Sequence, residues 1–358
     1  VAVVSARYLW GVVLAAGLAG TGFARPAQYG AAYPYPAPPA GFRPGTASDA
    51  RLLAYGLPAH PARLADGRSS NPALDHALSV ARNFIPAHLA PALVRHGPAR
   101  LVTGTPVGTS AGSEAAAAIG QQYSTNWAGE TLENGSTGWN GGSYAEVLAQ
   151  WVISRAQQAE GACSGTDYSA TWVGIDGTYG STDVMQAGTE ADATCSGNVT
   201  GQNIYAWFEW YPADGYEITN FPVAVGGSVF VVVQASGPES GTATFVNLQT
   251  GAYTSVGLSP PAGTSLRGNV AEFIVERPSI NNTKTLGTLS DFGEIPMESE
   301  IGYLLNQINT PYYSTPGAPE AGQTGDTVTM QNGSGVTIAT TVPQGPSAQL
   351  VQVAGPTE

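Results

Sequence analysis

The sequence predicts an all-β protein, a β-sandwich or jelly roll built on the C-terminal two thirds of 358 residues. Three observations predict it. Glycine and proline, 46 and 26 residues, together make about a fifth of the chain and disfavour helix throughout. Helical periodicity is nearly absent after Asn126. In its place come short runs of strand-forming residues separated by Gly, Asn, Ser and Pro turns. The runs are 144–153, 169–176, 183–190, 203–211, 227–235, 241–248, 252–258, 268–276 and 327–342.

The leader that precedes them has another character. Residues 1–24 place Arg7 before an apolar core, Leu9 to Gly20, and end on Gly22-Phe23-Ala24, the pattern of a cleavable secretory signal. The apolar run is shorter than the ~20 residues of a spanning helix, so no membrane anchor is expected. Residues 26–60 are rich in Pro, Ala and Tyr, and are expected to be extended with no core of their own. Leu74, Leu78, Val80 and Phe84 fit one helical face that stops before Pro86. A Gly/Ser/Thr/Ala linker follows over 103–119. Within it, Gly108–Gly112 spells G-x-S-x-G, but no histidine follows residue 96, so it is not read as a nucleophile elbow.

Charge divides the chain at the same place. Only 11% of residues are charged, where about 25% is usual. Residues 1–120 carry nine Arg against Asp49, Asp66, Asp75 and Glu114, net +5. Residues 121–358 carry Arg155, Arg267, Arg277 and Lys284 against 22 acids, net −18. A nucleic-acid partner is excluded by the overall −13. All four histidines, His60, His76, His88 and His96, lie in the leader. The acidic domain can therefore run no Ser-His-Asp or Cys-His mechanism and hold no His-ligated zinc. No metal or cofactor is expected. Its proton-transfer groups must be carboxyls, which work best near their own pKa of ~4, so an acidic working pH is expected of any enzyme here.

Two cysteines remain, Cys163 and Cys195, and in a secreted chain the default is one disulfide. Strand parity then picks out a face. Trp172, Gly174 and Asp176 share one side of their run, as do Val184, Gln186, Gly188 and Glu190; Trp207, Glu209 and Tyr211; and Glu272, Ile274 and Glu276. Apolar residues such as Ala271, Phe273 and Val275 take the reverse. A solvated face normally mixes Lys, Thr and Ser. This one carries Trp, Tyr, Gln and carboxyls, the composition of a binding groove.

These residues carry a resemblance. Thr-Asn-Trp-Ala-Gly at 125–129, Ser-Ala-Thr-Trp-Val-Gly-Ile-Asp-Gly at 169–177, Met-Gln-Ala-Gly at 185–188, Ala-Trp-Phe-Glu-Trp-Tyr-Pro at 206–212 and Ala-Glu-Phe-Ile-Val-Glu at 271–276 resemble, in order, the blocks of the eqolisins, the glutamic peptidases. The resemblance implies a secreted acid endopeptidase made as a preproprotein. It implies two curved antiparallel sheets in a concanavalin-like or jelly-roll-like sandwich, with the active site on a concave face. The division is then signal peptide 1–24, propeptide and linker 25–120, and catalytic sandwich 121–358. The catalytic pair falls on Gln186 and Glu276, and the supporting groove on Trp172, Asp176, Glu209 and Tyr211. Glu190 stands where the best-known member has aspartate, and the stretch 156–168 with Cys163 reads as an insertion.

The chemistry fits the side chains. Glu276 as carboxylate can take a proton from water and then give it to the leaving nitrogen. Gln186 does not titrate, and its NH₂ can donate to an oxyanion. The substrates implied are proteins or peptides, with no nucleic acid and no membrane, and the enzyme is expected as a monomer. The basic leader is expected to dock by charge as an intramolecular inhibitor, released by acid as carboxylates protonate and histidines gain charge. A flexible stalk is the other reading of that segment. Rival readings of the domain are a glycoside hydrolase or carbohydrate-binding sandwich using Glu209 and Glu276, or a non-catalytic surface protein. A pepsin-like site is excluded, since Asp176-Gly177-Thr178 has the wrong order and no second turn exists.

Overall fold

A computed structural model describes residues 30–103, 120–159, 163–197, 199–280, 285–308 and 310–354. The signal segment 1–24 and the Gly108–Gly112 motif lie outside them. Strands dominate, as the turn-punctuated sequence predicts, and most pair antiparallel. No described helix is long and apolar enough to cross a membrane.

Two layers face each other. One, here the site layer, runs in hydrogen-bonded order through Tyr216–Ile218, Val199–Tyr211, Val184–Ser196, Ala170–Asp176, Val270–Glu276, Trp127–Glu133 and Thr324–Gln331. The other, the back layer, runs through Glu294–Leu304, Tyr144–Val152, Ser228–Gly237, Ser240–Asn247 and Ala252–Leu258. Thr337–Gly345 and Ala348–Val353 join them along one edge. Val173, Ile175, Met185, Ala187, Phe208 and Phe273 from the site layer meet Val147, Ala149, Trp151, Val229, Val231, Val233 and Phe245 from the back layer in one buried core. Burying each Val, Ile, Met or Phe among them contributes roughly 1.5–3 kcal/mol.

Eight of the nine predicted runs fall on single strands, and the ninth, 327–342, is two strands with a turn at 332–336. Asn332 and Gly335, which has φ +78°, make that turn. The hairpin Val184–Ser196 to Val199–Tyr211 is longer than predicted at its tip. Cys163 and Cys195 form a disulfide near that tip, beside Gly165–Asp167. Closing 32 residues of chain contributes roughly 3–4 kcal/mol in the chain-entropy picture. Glu294–Leu304 was not predicted, because Pro296 and three glutamates hide its alternation.

The leader is not structureless over its described part. Asp49–Ala54 and Pro72–Val80 are helices, the second capped by Asn71, whose Oδ1 accepts from Leu74 N. The predicted helical face stops at Val80, and Phe84 instead lies in a short strand beside Ala252–Leu258. Phe42, Leu52, Leu57, Leu74, Ala77 and Leu78 are buried against Leu148, Phe230, Val232, Tyr253 and Tyr303, the outward face of the back layer. The stretch expected to build no core of its own shares one with the acidic domain.

Candidate active site

Register assembles the polar face row by row. Ala170–Asp176 lies between Val184–Ser196 and Val270–Glu276, with Val199–Tyr211 next. Because alternate residues share a face, the pairings set four rows. Asp176, Val184 and Tyr211 form the first, and Glu272, Gly174, Gln186 and Glu209 the second. Ile274, Trp172, Gly188 and Trp207 form the third, and Glu276, Ala170, Glu190 and Tyr205 the fourth. All seven predicted site residues thus stand on one face, with Gln186 and Glu276 two rows apart. Glycine at 188 lets Trp172 lie across the sheet, since a Cβ there would come within 2.6 Å of Trp172 Cβ.

Hydrogen bonds fix the candidate side chains. Trp172 Nε1 donates to Glu276 Oε2 (2.9 Å), and Asn126 Nδ2 donates to Glu276 Oε1 (3.3 Å). Gln186 Nε2 donates to Glu209 Oε2 (3.1 Å), while Gln186 Oε1 is buried with no donor among the described residues. Asp176 is different. Its two oxygens accept from the backbone N–H groups of Arg267, Gly268 and Asn269 at 2.6–3.1 Å, and its own φ is +69°. In this structure it latches a loop at the first row and does not reach the carboxyls of the fourth.

The open side of the face is filled by the leader. Leu89–Pro91 pairs with Tyr216–Ile218, Val94–Arg95 with Ser279–Ile280, and Leu101–Thr103 with Gly120–Ser124. Between these anchors His96, 1% exposed, stacks on Trp207 with ring centroids 3.6 Å apart. His96 Nδ1 lies 3.3 Å from Glu276 Oε2, and Nε2 lies 3.2 Å from Glu190 Oε2. His96 N donates to Glu209 Oε2 (3.0 Å) and Gly97 N to Glu276 Oε1 (3.4 Å). The backbone of His96 and Gly97 therefore joins the row of Gln186 to the row of Glu276. Arg95 bonds Asp214 and the Pro212 carbonyl and covers the Tyr211 ring.

Electrostatics follow from burial and the charges of His96 and Arg95. Burial alone would discharge His96, but the carboxylates of Glu190 and Glu276 outweigh it and push the imidazole up to about 10. Burial pushes Glu209 up to about 8, opposed by the charges of His96 and Arg95. Burial also raises Glu276, opposed by His96, the Gly97 N–H and Trp172. Burial, then the charge of Glu190, pushes Asp192 up to about 10.

These shifts correct one expectation. A raised histidine contributes its pairing fully below its free value near 6.5, and loses it only as pH rises through about 10. His96 is already charged at neutral pH, so a gain of charge at this histidine is not what would free the segment it belongs to. The carboxyls facing it are the groups whose protonation removes its partners.

The same side chains, with the face uncovered, can support general acid–base work by Glu276 and oxyanion donation by Gln186. Among the described residues, no group of three or more His, Cys, Asp or Glu is placed to hold a metal ion.

A profile of the Peptidase A4 family matches residues 125–342. The chain belongs to the Peptidase A4 family. Within this A4 chain the match begins just before the strand Trp127–Glu133, after the leader. The chain is 30% identical over 191 residues to aspergillopepsin-2 of Aspergillus niger, covering 49% of this chain and 63% of that protein. It is 33% identical over 128 residues to scytalidopepsin B of Scytalidium lignicola, covering 35% and 46% respectively. The aligned part thus spans less than two thirds of either relative. A crystal structure of scytalido-glutamic peptidase with a transition state analog inhibitor shares the fold, with TM-score 0.50 and 22% identity over 64% of this chain and 98% of that chain. Family membership favours a peptidase over the carbohydrate-active reading.

Sequence reasoning missed four members of this A4 site. His96 and Arg95 were seen only as leader charge. Asn126 sat inside a quoted block without a role, and Glu272, in the row of Gln186, was noted by parity alone. The signal for His96 was its position beside Arg95 in an otherwise apolar stretch, 89–94.

Proposed function

We propose that this A4 chain is a secreted acid endopeptidase made as an inactive precursor. Residues 1–24 are its signal peptide, 25–120 the propeptide and linker, and 121–358 the catalytic sandwich of two curved sheets, acting as a monomer. Glu276 activates water and later protonates the leaving amine, and Gln186 donates to the oxyanion. Trp172 and Asn126 orient Glu276. Glu190, Glu209, Tyr211 and Trp172 line the peptide groove, and Asp176 holds its end. No covalent intermediate is needed.

The observation that carries this reading is His96, an extended-chain residue held against Glu276 and Glu190 by its ring and against Glu209 by its backbone N–H. A segment so placed excludes a substrate peptide from the groove. Protonated carboxyls would leave the imidazolium buried without counter-charge, which is costly enough to expel it. Water then re-enters and relieves the burial that raises Glu276.

Purified intact chain, held at pH 7 or pH 3.5 with pepstatin present, tests this on casein assayed at pH 3.5. Shortened chain is expected only after the acid step, and casein cleavage is expected at once from the acid-held sample but after a lag from the sample held at pH 7. An intact, inactive chain after prolonged acid exposure overturns the reading. His96→Ala should weaken the block, because truncating a buried pair costs about 3–5 kcal/mol. Initial casein cleavage by the uncut variant is expected to rise by ~10²-fold over the uncut wild type. An unchanged initial rate would remove His96 as the inhibitory contact.

A further inference from the structure

The leader has two parts that are held in different ways. Residues 92–101 lie on the site layer through short strand pairings at their two ends and, between them, charged contacts: Arg95 with Asp214, and His96 with Glu190, Glu276 and Glu209. Residues 30–87 lie on the outward face of the back layer, on the other side of the sandwich. Their ion pairs, His60–Asp49, Arg63–Asp75 and Arg68–Asp66, are all internal to the leader.

What joins residues 30–87 to the back layer is apolar burial and neutral hydrogen bonding. Phe42, Leu52, Leu57, Leu74 and Leu78 cover Leu148, Phe230, Val232, Val246 and Tyr253, all nearly fully buried. Ala32–Pro34 adds a strand to the edge at Ala252–Leu258. Thr244 Oγ1 donates to the Gly56 carbonyl, Asn71 Nδ2 donates to Tyr303 Oη, and Tyr35 bonds Thr242. Glu146 is a back-layer carboxyl facing this module, buried, accepting from Gln234 Nε2 and lying near Ala59, His60 and Leu74. Burial pushes Glu146 up to about 7, so it is neutral and compatible with the module at acid pH.

We infer that residues 30–87 are a permanent subunit of the enzyme: once the chain is cut beyond residue 87 they stay bound to the outward face of the back layer as a separate chain, and only the strap 92–101 leaves. The inference rests on the proposed precursor reading. The two are separable because retention can be read without self-cleavage. Without the module, a sheet face bearing Phe230, Val232, Val246 and Tyr253 would stand in water, a patch of the kind monomers rarely expose. Acid acts on the strap's carboxylate partners and leaves the apolar contact intact.

The test uses the full chain carrying Glu276→Gln, with a site for a sequence-specific protease placed within 104–119 and cut at pH 7. Both fragments are expected to co-elute on gel filtration at pH 7 and at pH 3.5. Amide exchange at pH 3.5 is expected to be fast at His96 and Gly97 and slow across Pro72–Val80. Adding His96→Ala should leave co-elution unchanged, whereas Leu78→Ala should increase release at least tenfold. Separation of the fragments at pH 3.5, with the C-terminal fragment alone folded and monomeric, overturns the inference. So does equal, fast exchange in both leader parts.

Discussion

Glu276→Gln is expected to lower casein hydrolysis at pH 3.5 by about 10³-fold or more, the scale of a lost general acid–base group. The substitution keeps the shape of the side chain. Its amide oxygen can still accept from Trp172 Nε1, so the loss would report proton transfer and not misfolding. Gln186→Ala is expected to cost about 10²–10³-fold, the effect of removing one oxyanion donor. It also frees Glu209 Oε2 from its Gln186 contact, so thermal unfolding should accompany the assay. Glu272→Gln is the discriminating control. Glu272 shares the row of Gln186 and is fully buried, and its Oε1 accepts from Thr178. If Glu272→Gln abolishes activity while Glu276→Gln stays within tenfold of wild type, the roles assigned here are wrong.

Stability should peak in acid and fall toward neutrality. Away from the groove, Glu130 on Trp127–Glu133 lies against Glu300 on Glu294–Leu304, with Gln349 Nε2 donating to Glu300 Oε1 (2.6 Å). Both Glu130 oxygens and Glu300 Oε2 take no donor from another described group. Burial pushes Glu130 up to about 7, and burial together with Glu130 raises Glu300 well above the usual carboxyl range. A carboxyl raised on folding contributes stability that is full below its unfolded pKa near 4 and lost as pH rises through the folded value. The loss therefore runs from about pH 4 to about pH 7 for Glu130 and continues above that for Glu300. At neutral pH this pair should destabilise by roughly 2–4 kcal/mol relative to pH 4. Glu300→Gln removes one titration and can donate to Glu130. Its melting temperature is expected to match wild type at pH 4 and to exceed it by several degrees at pH 7. Equal melting temperatures at pH 7 would show that this pair does not set the neutral limit.

Much of the fold was legible because its signal is local. The runs around Trp172, Gln186, Glu209 and Glu276 alternate cleanly, since one side of each strand is core and the other is groove. Phe230–Val233 carried a further signal that went unread. Both parities there are apolar, as in a strand buried on both faces, and the leader supplies the second cover. Glu294–Leu304 was illegible because its outward residues are glutamates and a proline. Its bulge at Glu298–Ile301 also shifts the alternation midway.

The sequence by itself determined which side chains share the groove face, because the two-residue period of a strand holds wherever the strand lies. Its charge and histidine distribution determined that proton transfer in the acidic domain rests on carboxyls. Only the tertiary structure decided what stands on that face. The His96 contacts with Glu190 and Glu276 join residues 94 and 180 positions apart, and no local pattern encodes such a pairing. It decided equally that the basic leader divides, one part gripping the carboxyls by charge and the other covering the opposite sheet by apolar burial. Net charge, summed over residues, cannot distinguish a charge that meets a partner from one that pairs within its own module.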